Sequence, residues 1–352
     1  MEKTKHYSYK QGKLAKGCRE CVKGSKLVLF ITGICCRKCD YCPISDQKHD
    51  KDVIYADEWP IKNVKNAIKE AELISATGAG ITGGDPLCRL DRVVKYITAL
   101  KKKFGSKFHI HLYTSFNLVT LKVLSRLYDS GLDEIRFHAD VDDSKLWGKI
   151  DLVNQFKWDV GIEIPIFPGK FVKSRKLVDY FSSKVDFINL NELEFADNEF
   201  SKMPSSFKPK DSLSYGVKGS EELALKILKY CSKYPKLNVH YCTAKLKDKV
   251  QMANRIKRRA ENVAKDYDLI TDEGLLFRGA IYSNQYLRVE KILLKLKIPS
   301  KLYSVDKKRK RMLVDPDWMY DHKDELKKFD LKLALVEEYP TYDCLNVVTD
   351  FI

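Results

Sequence analysis

Short apolar runs alternate with amphipathic stretches from residue 26 onward, and this alternation constrains the fold more than any other feature of the chain. Residues 26–32 (KLVLFIT), 78–84, 108–115, 134–140, 160–167 and 185–190 read as strands. Helical patterns near 61–76, 89–104, 118–130, 143–155 and 172–183 separate them. In 61–76 the apolar positions Ile61, Val64, Ala67, Ile68, Ala71, Leu73 and Ile74 recur at helical period. Pro60 suits the first turn of that helix and Gly78 its stop. Strands separated by helices imply parallel βα packing, and such folds build their sites at the C-terminal ends of the strands.

Residues 197–218 are polar, carry Pro, Ser and Gly, and read as a loop or lid. A helix near 219–234, a strand at 237–242 and a strongly basic helix at 247–266 follow. The order then changes. Strands at 275–282, 301–305, 312–315 and 332–338 alternate with helices at 285–297 and 316–328, the βαββαβ order of a ferredoxin-like domain. The expected organisation is an N-terminal extension over 1–25, an α/β domain over 26–267 and a small α+β domain over 268–352.

The longest apolar run, Leu27–Cys36, is about half the ~20 residues that a spanning helix needs, so no membrane segment is expected. The basic start of the chain lacks the apolar stretch of a secretory leader. Those two features predict a cytoplasmic protein. In a reducing compartment ten cysteines point to metal, cluster or redox work rather than to a disulfide framework. Four of them lie between 35 and 42. Cys35-x3-Cys39-x2-Cys42 directly follows the first strand, and three thiolates in one loop can converge on an iron–sulfur cluster while leaving one iron open. A structural zinc site would instead take four ligands.

The run CCRKCDYC, with Tyr41 before its last cysteine, resembles the cluster motif of the radical SAM superfamily. Its place after strand one and Gly83-Gly84-Asp85-Pro86 at the end of strand two, similar to the family's GGEP motif, strengthen the resemblance. Asp85 departs from the Glu of that motif. The resemblance covers residues 26–195, and the compact layout looks most like proteins related to the pyruvate formate-lyase activating enzyme. It implies a partial (β/α)6 barrel with a [4Fe-4S] cluster on Cys35, Cys39 and Cys42. The open iron would chelate S-adenosylmethionine (SAM), and an external one-electron reductant would drive its cleavage to a 5′-deoxyadenosyl radical. It also implies that Gly83, Gly84, Asp85 and Pro86 cradle the methionine end of SAM and that the Tyr41 backbone meets the adenine.

Ser115, Asn117, Arg136, His138, Glu163, Asn189 and Asn191 lie on or near strand ends, where they could meet SAM or substrate. Glu163 is a charge inside an otherwise apolar strand, so it needs a partner or a ligand. Cys18-x2-Cys21 and His240-x-Cys242 could supply a second centre, zinc or an auxiliary cluster. That site requires the N-terminal segment to fold back along the barrel. Without it, Cys242 could serve as a thiol hydrogen donor.

For the substrate, 64 Lys and Arg against 48 Asp and Glu give a net charge of +16. With the basic helix 247–266 and the run Lys307-Lys308-Arg309-Lys310-Arg311, that excess favours RNA, tRNA foremost. The alternatives are a partner protein that receives a glycyl radical, and a small molecule under the 197–218 lid. An iron–sulfur electron carrier is the non-enzyme alternative, and it would have no use for the Gly83–Pro86 cradle.

Overall fold

Alternation along each strand sets up two chemically distinct faces, because successive side chains point to opposite sides of a sheet. Leu27, Leu29, Ile81, Ile110, Leu112, Ile135, Phe137, Ile162, Ile164, Ile188 and Leu190 are all buried, and all stand on one face. Each such side chain contributes about 1.5–3 kcal/mol by leaving water. Lys26, His109, His111, Glu134, Arg136, Asn189 and His240 are buried on the other face. This strand chemistry holds in a computed structural model that describes residues 1–211 and 215–352. By its internal contacts the chain divides into two compact units, 1–72 with 76–252, and 73–75 with 253–352.

Up to residue 252 the elements are β1 (Glu2–Lys3), β2 (Tyr9–Gln11), α1 (Lys16–Val22), β3 (Lys26–Phe30), β4 (Tyr55–Ala56), β5 (Trp59–Pro60) and α2 (Val64–Leu73). Next come β6 (Gly78–Thr82), α3 (Leu90–Phe104), β7 (His109–Ser115), α4 (Leu121–Asp129), β8 (Glu134–His138), α5 (Ile150–Val153) and β9 (Asp159–Ile166). The series closes with α6 (Phe171–Phe181), β10 (Phe187–Glu192), α7 (Ser220–Tyr230), β11 (Asn238–Cys242) and α8 (Ala244–Leu246). The strand order is β1-β2-β11-β10-β9-β8-β7-β6-β3-β4-β5. The strands from β11 to β3 along that path are parallel to one another, a mixed α/β arrangement with helical connections.

The N-terminal extension, residues 1–25, contributes β1 and β2 to this sheet. β2 pairs antiparallel with β11, with Lys10 opposite His240, so the N-terminal segment does run back along the sheet edge. α1 then lies on the polar face, where the Gly17 N–H donates to Glu134 Oε2 at 3.1 Å. β6 is glycine-rich for a related reason. A Cβ on Gly80 would stand 2.7 Å from His111 Nε2, so the imidazole uses the room a side chain would need.

Two expectations about basic segments need correction. The stretch 247–266 is helical only as far as Val263 and is not uniformly α: Lys247–Met252 is π-helical and α9 continues it over Ala253–Val263, with the unit boundary falling between them. Lys247 pairs with Glu194, Arg259 is buried and donates to the Pro340 carbonyl, and Arg258 donates to the Ile74 and Ser75 carbonyls. The run 307–311 is not a row of five free charges either. Arg311 is 1% exposed and pairs with Asp306 at 2.8 Å and with Glu338 at 2.6 Å. Arg309 also pairs with Glu338.

The second unit contains β12 (Leu269–Ile270), β13 (Leu276–Tyr282), α10 (Tyr286–Lys295), β14 (Tyr303–Asp306) and β15 (Arg311–Val314). It continues through α11 (Pro316–Asp321), α12 (Lys323–Lys327), β16 (Lys332–Glu338) and β17 (Asn346–Phe351). Its antiparallel sheet has the order β14-β15-β13-β16-β17, with β12 on β13. Its core gathers Val289, Ile292 and Leu293 of α10 with Met312, Val314, Met319, Leu326 and Leu333.

Candidate functional site

The loops after β3, β6, β7 and β8 meet at the C-terminal ends of those strands. The loop after β3 carries the cysteines and has little regular structure of its own, so its backbone must find partners elsewhere. The 83–86 turn supplies some of them. Gly84 N–H donates to the Thr32 carbonyl at 2.8 Å and Asp85 N–H to the Ile34 carbonyl at 2.9 Å. A Cβ on Gly84 would come 2.5 Å from the Ile34 oxygen, so only glycine permits this approach.

Asp85 is buried and fully engaged. Its carboxylate accepts from Thr114 Oγ1 and Ser115 Oγ, each at 2.7 Å, from Ser115 N at 3.3 Å and from Leu87 N at 3.1 Å. With Pro86 at the first position of the following turn, the carboxylate caps that turn and ties it to the end of β7. The Asn117 N–H in turn donates to Ser115 Oγ at 3.3 Å.

The cysteine loop reaches over to β8. Arg37 donates to the His138 carbonyl at 3.2 Å and pairs with Asp140 at 2.9 Å. The Tyr41 hydroxyl lies 2.7 Å from His138 Nε2, and its ring packs edge-on against Phe167. Burial, seconded by Arg37, lowers His138 to about 4, so its imidazole is neutral at pH 7. Cys35, Cys39 and Cys42 are free, part-exposed thiols, whereas Cys36 is exposed. Burial pushes Cys35 up to about 12. Three open thiols on a loop clamped from both ends fit a cluster that binds them as thiolates and leaves one iron free.

Beneath the loop ends the charged groups Arg136, Glu134 and Glu163 of the polar face are closely paired. Arg136 binds Glu134 at 2.5 Å and Glu163 at 3.0 Å. The Glu163 carboxylate also accepts from Asn189 at 2.9 Å and Asn191 at 3.0 Å. Burial works to raise the Glu163 carboxyl, but Arg136 and the two amides outweigh it and hold it below the usual range. The charged residue that stood out in strand β9 thus has its partners.

The second cysteine set is brought into one region, where Cys18 and Cys21 act electrostatically on each other and on Cys242, but like Cys35, Cys39 and Cys42 it is not drawn into a tight ligand group. Among the described residues, Cys18, Cys21, His240 and Cys242 form no group with ligand atoms within 4.8 Å of one another. Cys18 Sγ instead accepts from Arg136 Nη2 at 3.4 Å and Asn189 Nδ2 at 3.3 Å, and a guanidinium there opposes a cation. His240 Nε2 lies 3.2 Å from Ser8 Oγ. Cys242 sits under the π-helical turn, 4.0 Å from Gln251 Nε2, and burial pushes its thiol up, so it carries its proton at pH 7. His109, Glu134 and Asp159 do bring one ligand atom each within 4.8 Å. Lys26 Nζ is 2.7 Å from His109 Nδ1, however, and Arg136 already neutralises Glu134.

The same motifs match a protein-family model described as the Radical SAM superfamily over residues 29–157. A protein of Methanocaldococcus jannaschii, provisionally named a glycyl-radical enzyme activating enzyme, is 42% identical over 95% of this chain and 92% of its own length. The chain belongs to the radical SAM superfamily. It is an enzyme of that class, related to pyruvate formate-lyase activating enzymes. Membership implies a [4Fe-4S] cluster and SAM. Among solved structures, methylornithine synthase shares 13% identity over 64% of this chain and 72% of that chain, with a TM-score of 0.41. Coproporphyrinogen III oxidase from Escherichia coli shares 10% identity over 63% and 56%, with a TM-score of 0.36. No described helix is long and apolar enough to cross a membrane.

Sequence reasoning overlooked Arg37, Asp140 and Asn198. Arg37 lies inside the cysteine run and could have been noticed there. Asn198 lies in a polar loop and carries no signal at the level of sequence.

Proposed function

We propose that this enzyme activates a partner protein by removing a hydrogen atom from a glycine Cα, leaving a glycyl radical there. The observation that carries this reading is the 42% identical relative named as an activating enzyme. The match spans 95% of this chain, so the second unit is no argument against an activating role. In this reading the parallel sheet of the first unit is a partial (β/α)6-type barrel. The second unit is a ferredoxin-like domain with added strands, as the antiparallel order β14-β15-β13-β16 suggests.

Cys35, Cys39 and Cys42 would hold the cluster, and the 83–86 turn with Ser115 would receive the amino-acid end of SAM. When bound, cluster and SAM supply a radical able to take hydrogen from carbon, driven by one electron from an external reductant. The protein positions these groups and keeps water out. The charges below, buried Lys26, Arg136 and Glu134 with part-buried Glu163, balance two against two. Arg258, Arg259, Arg309 and Arg311 are engaged internally, which weakens the case for RNA.

The test uses anaerobically reconstituted, dithionite-reduced enzyme with SAM and a host-cell extract labelled with Cα-deuterated glycine. Deuterium in the 5′-deoxyadenosine is the expected result, together with a protein-borne glycyl radical whose electron paramagnetic resonance signal is a doublet in unlabelled extract and collapses in the deuterated one, because the splitting comes from the hydrogen left on Cα. Cleavage of SAM with no deuterium transfer would overturn it.

A further inference from the structure

The cysteine loop is held at two ends by different parts of the chain. The 83–86 turn grips its start, through the Thr32 and Ile34 carbonyls. Its second half is gripped by residues 197–202, in the connection between β10 and α7. The Asn198 side-chain amide donates to the Cys42 carbonyl and to the Ile44 carbonyl, each at 2.9 Å. Both of its N–H groups are therefore used. Asn198 Oδ1 accepts from Ser201 N at 2.9 Å, which fixes which way the amide points. Two more donors, Ser201 Oγ at 2.9 Å and Lys202 N at 2.7 Å, meet the Asp40 carbonyl. The Glu199 N–H donates to Asp46 Oδ1 at 3.1 Å, and the Phe200 ring stacks on His49.

We propose that residues 197–202 form a strap that sets the geometry of the third cluster cysteine, with Asn198 as its positioning residue. The inference rests on the reading that Cys42 ligates the cluster. The Cys42 carbonyl is three bonds from its own Cβ, so fixing that carbonyl restrains where the thiol can point. Cys42 N–H also donates to the Cys39 carbonyl at 3.1 Å, so the strap's hold extends to the second ligand. The segment expected to act as a lid over substrate thus acts, in this stretch, on the cofactor loop. Loss of the strap leaves three thiols in the sequence but lets the Cys39–Cys42 turn wander, and the bound cluster becomes easier to strip.

The experiment compares the full-length, anaerobically reconstituted protein with Asn198→Asp, Asn198→Ala, Ser201→Ala and Asn154→Ala. Asn198→Asp keeps the shape and the bond from Ser201 but removes both donors. Asn154 donates to the Lys184 carbonyl at 2.9 Å, far along the chain from the cysteines, and serves as the control for losing an ordinary bond. Iron release to a ferrous chelator is followed without SAM, with melting of the cluster-free proteins alongside. We expect release to speed up about tenfold in both Asn198 variants, the size that two lost neutral hydrogen bonds give. Ser201→Ala should speed it about two- to threefold, and Asn154→Ala should leave it unchanged. Wild-type release in the Asn198 variants, or equal acceleration in Asn154→Ala, overturns the strap. A wild-type protein that takes up no iron overturns the strap and the cluster together. Fast release in the variants with no SAM cleavage by wild type removes the functional reading and leaves the strap standing.

Discussion

Asp85 shows how one side chain can depart from a motif and keep its place. A shorter carboxylate reaches Thr114, Ser115 and Leu87 at the distances a buried acceptor needs. Asp85→Glu would push a methylene into a fully packed position and should cost about 1–3 kcal/mol. Asp85→Ala would strand those donors and should cost at least as much. Urea unfolding of the cluster-free protein measures both, and wild-type midpoints would contradict this role. Among the cysteines, replacing Cys35, Cys39 or Cys42 with Ala should abolish iron uptake after reconstitution. Cys36→Ala should retain it, since that thiol is exposed and its contact with Asp85 is a long 3.8 Å. Iron retained by Cys35→Ala but lost in Cys36→Ala would put the ligand register one residue along.

At the scale of elements, α1 is a seven-residue helix that lies on the polar face of the sheet. It fits because Gly17 has no side chain. A Cβ there would stand 2.5 Å from Arg136 Nη2, 2.8 Å from His111 Nδ1 and 2.9 Å from Glu134 Oε1. Arg136 Nη2 and Glu134 Oε1 are paired with each other and His111 is buried, so none can swing aside freely. Gly17→Ala should therefore destabilise the protein by roughly 1–3 kcal/mol, although alanine is the better helix former. A thermal melt that is unchanged or raised would show that α1 can shift. β15 carries the second case. Arg311 is buried against Glu338, so Arg311→Ala leaves a carboxylate with fewer partners and should cost about 3–5 kcal/mol. Lys307→Ala, in the same basic run, should be nearly neutral by the same denaturation measurement.

For the whole molecule, burial lowers His109 to about 2 and His138 and His240 to about 4, and places His111 well below its ordinary value. In the unfolded chain each returns to about 6.5. Below that pH the unfolded state binds more protons than the folded one, so stability falls as pH falls. The loss begins near pH 6.5 and continues toward about 4, at up to ~1.4 kcal/mol per pH unit for each histidine. Urea midpoints of the cluster-free protein should drop steadily from pH 7 to pH 5. A flat profile over that window would show that these imidazoles take up protons in the folded state.

The order of strands and helices was legible because burial period is a local property of the chain. The cysteine loop and the 83–86 turn were legible because cluster and backbone-approach chemistry demand particular residues at short spacings. The α1 insertion was not, since nothing local in KGCRECV says that Gly17 must face a guanidinium. Nor was the fate of the basic runs. A lysine or arginine reads the same in sequence whether solvated or paired, and only tertiary packing put Glu338 beside Arg309 and Arg311. The same limit applies to Cys18, His240 and Cys242, whose spacing allows a metal site while Arg136 and Asn189 occupy the ground beside Cys18. Asn198 lies 156 residues from the cysteine whose carbonyl it binds. Short-range chemistry wrote the candidate ligands into the sequence, and long-range contacts, which no local pattern encodes, decided what holds their loop in place.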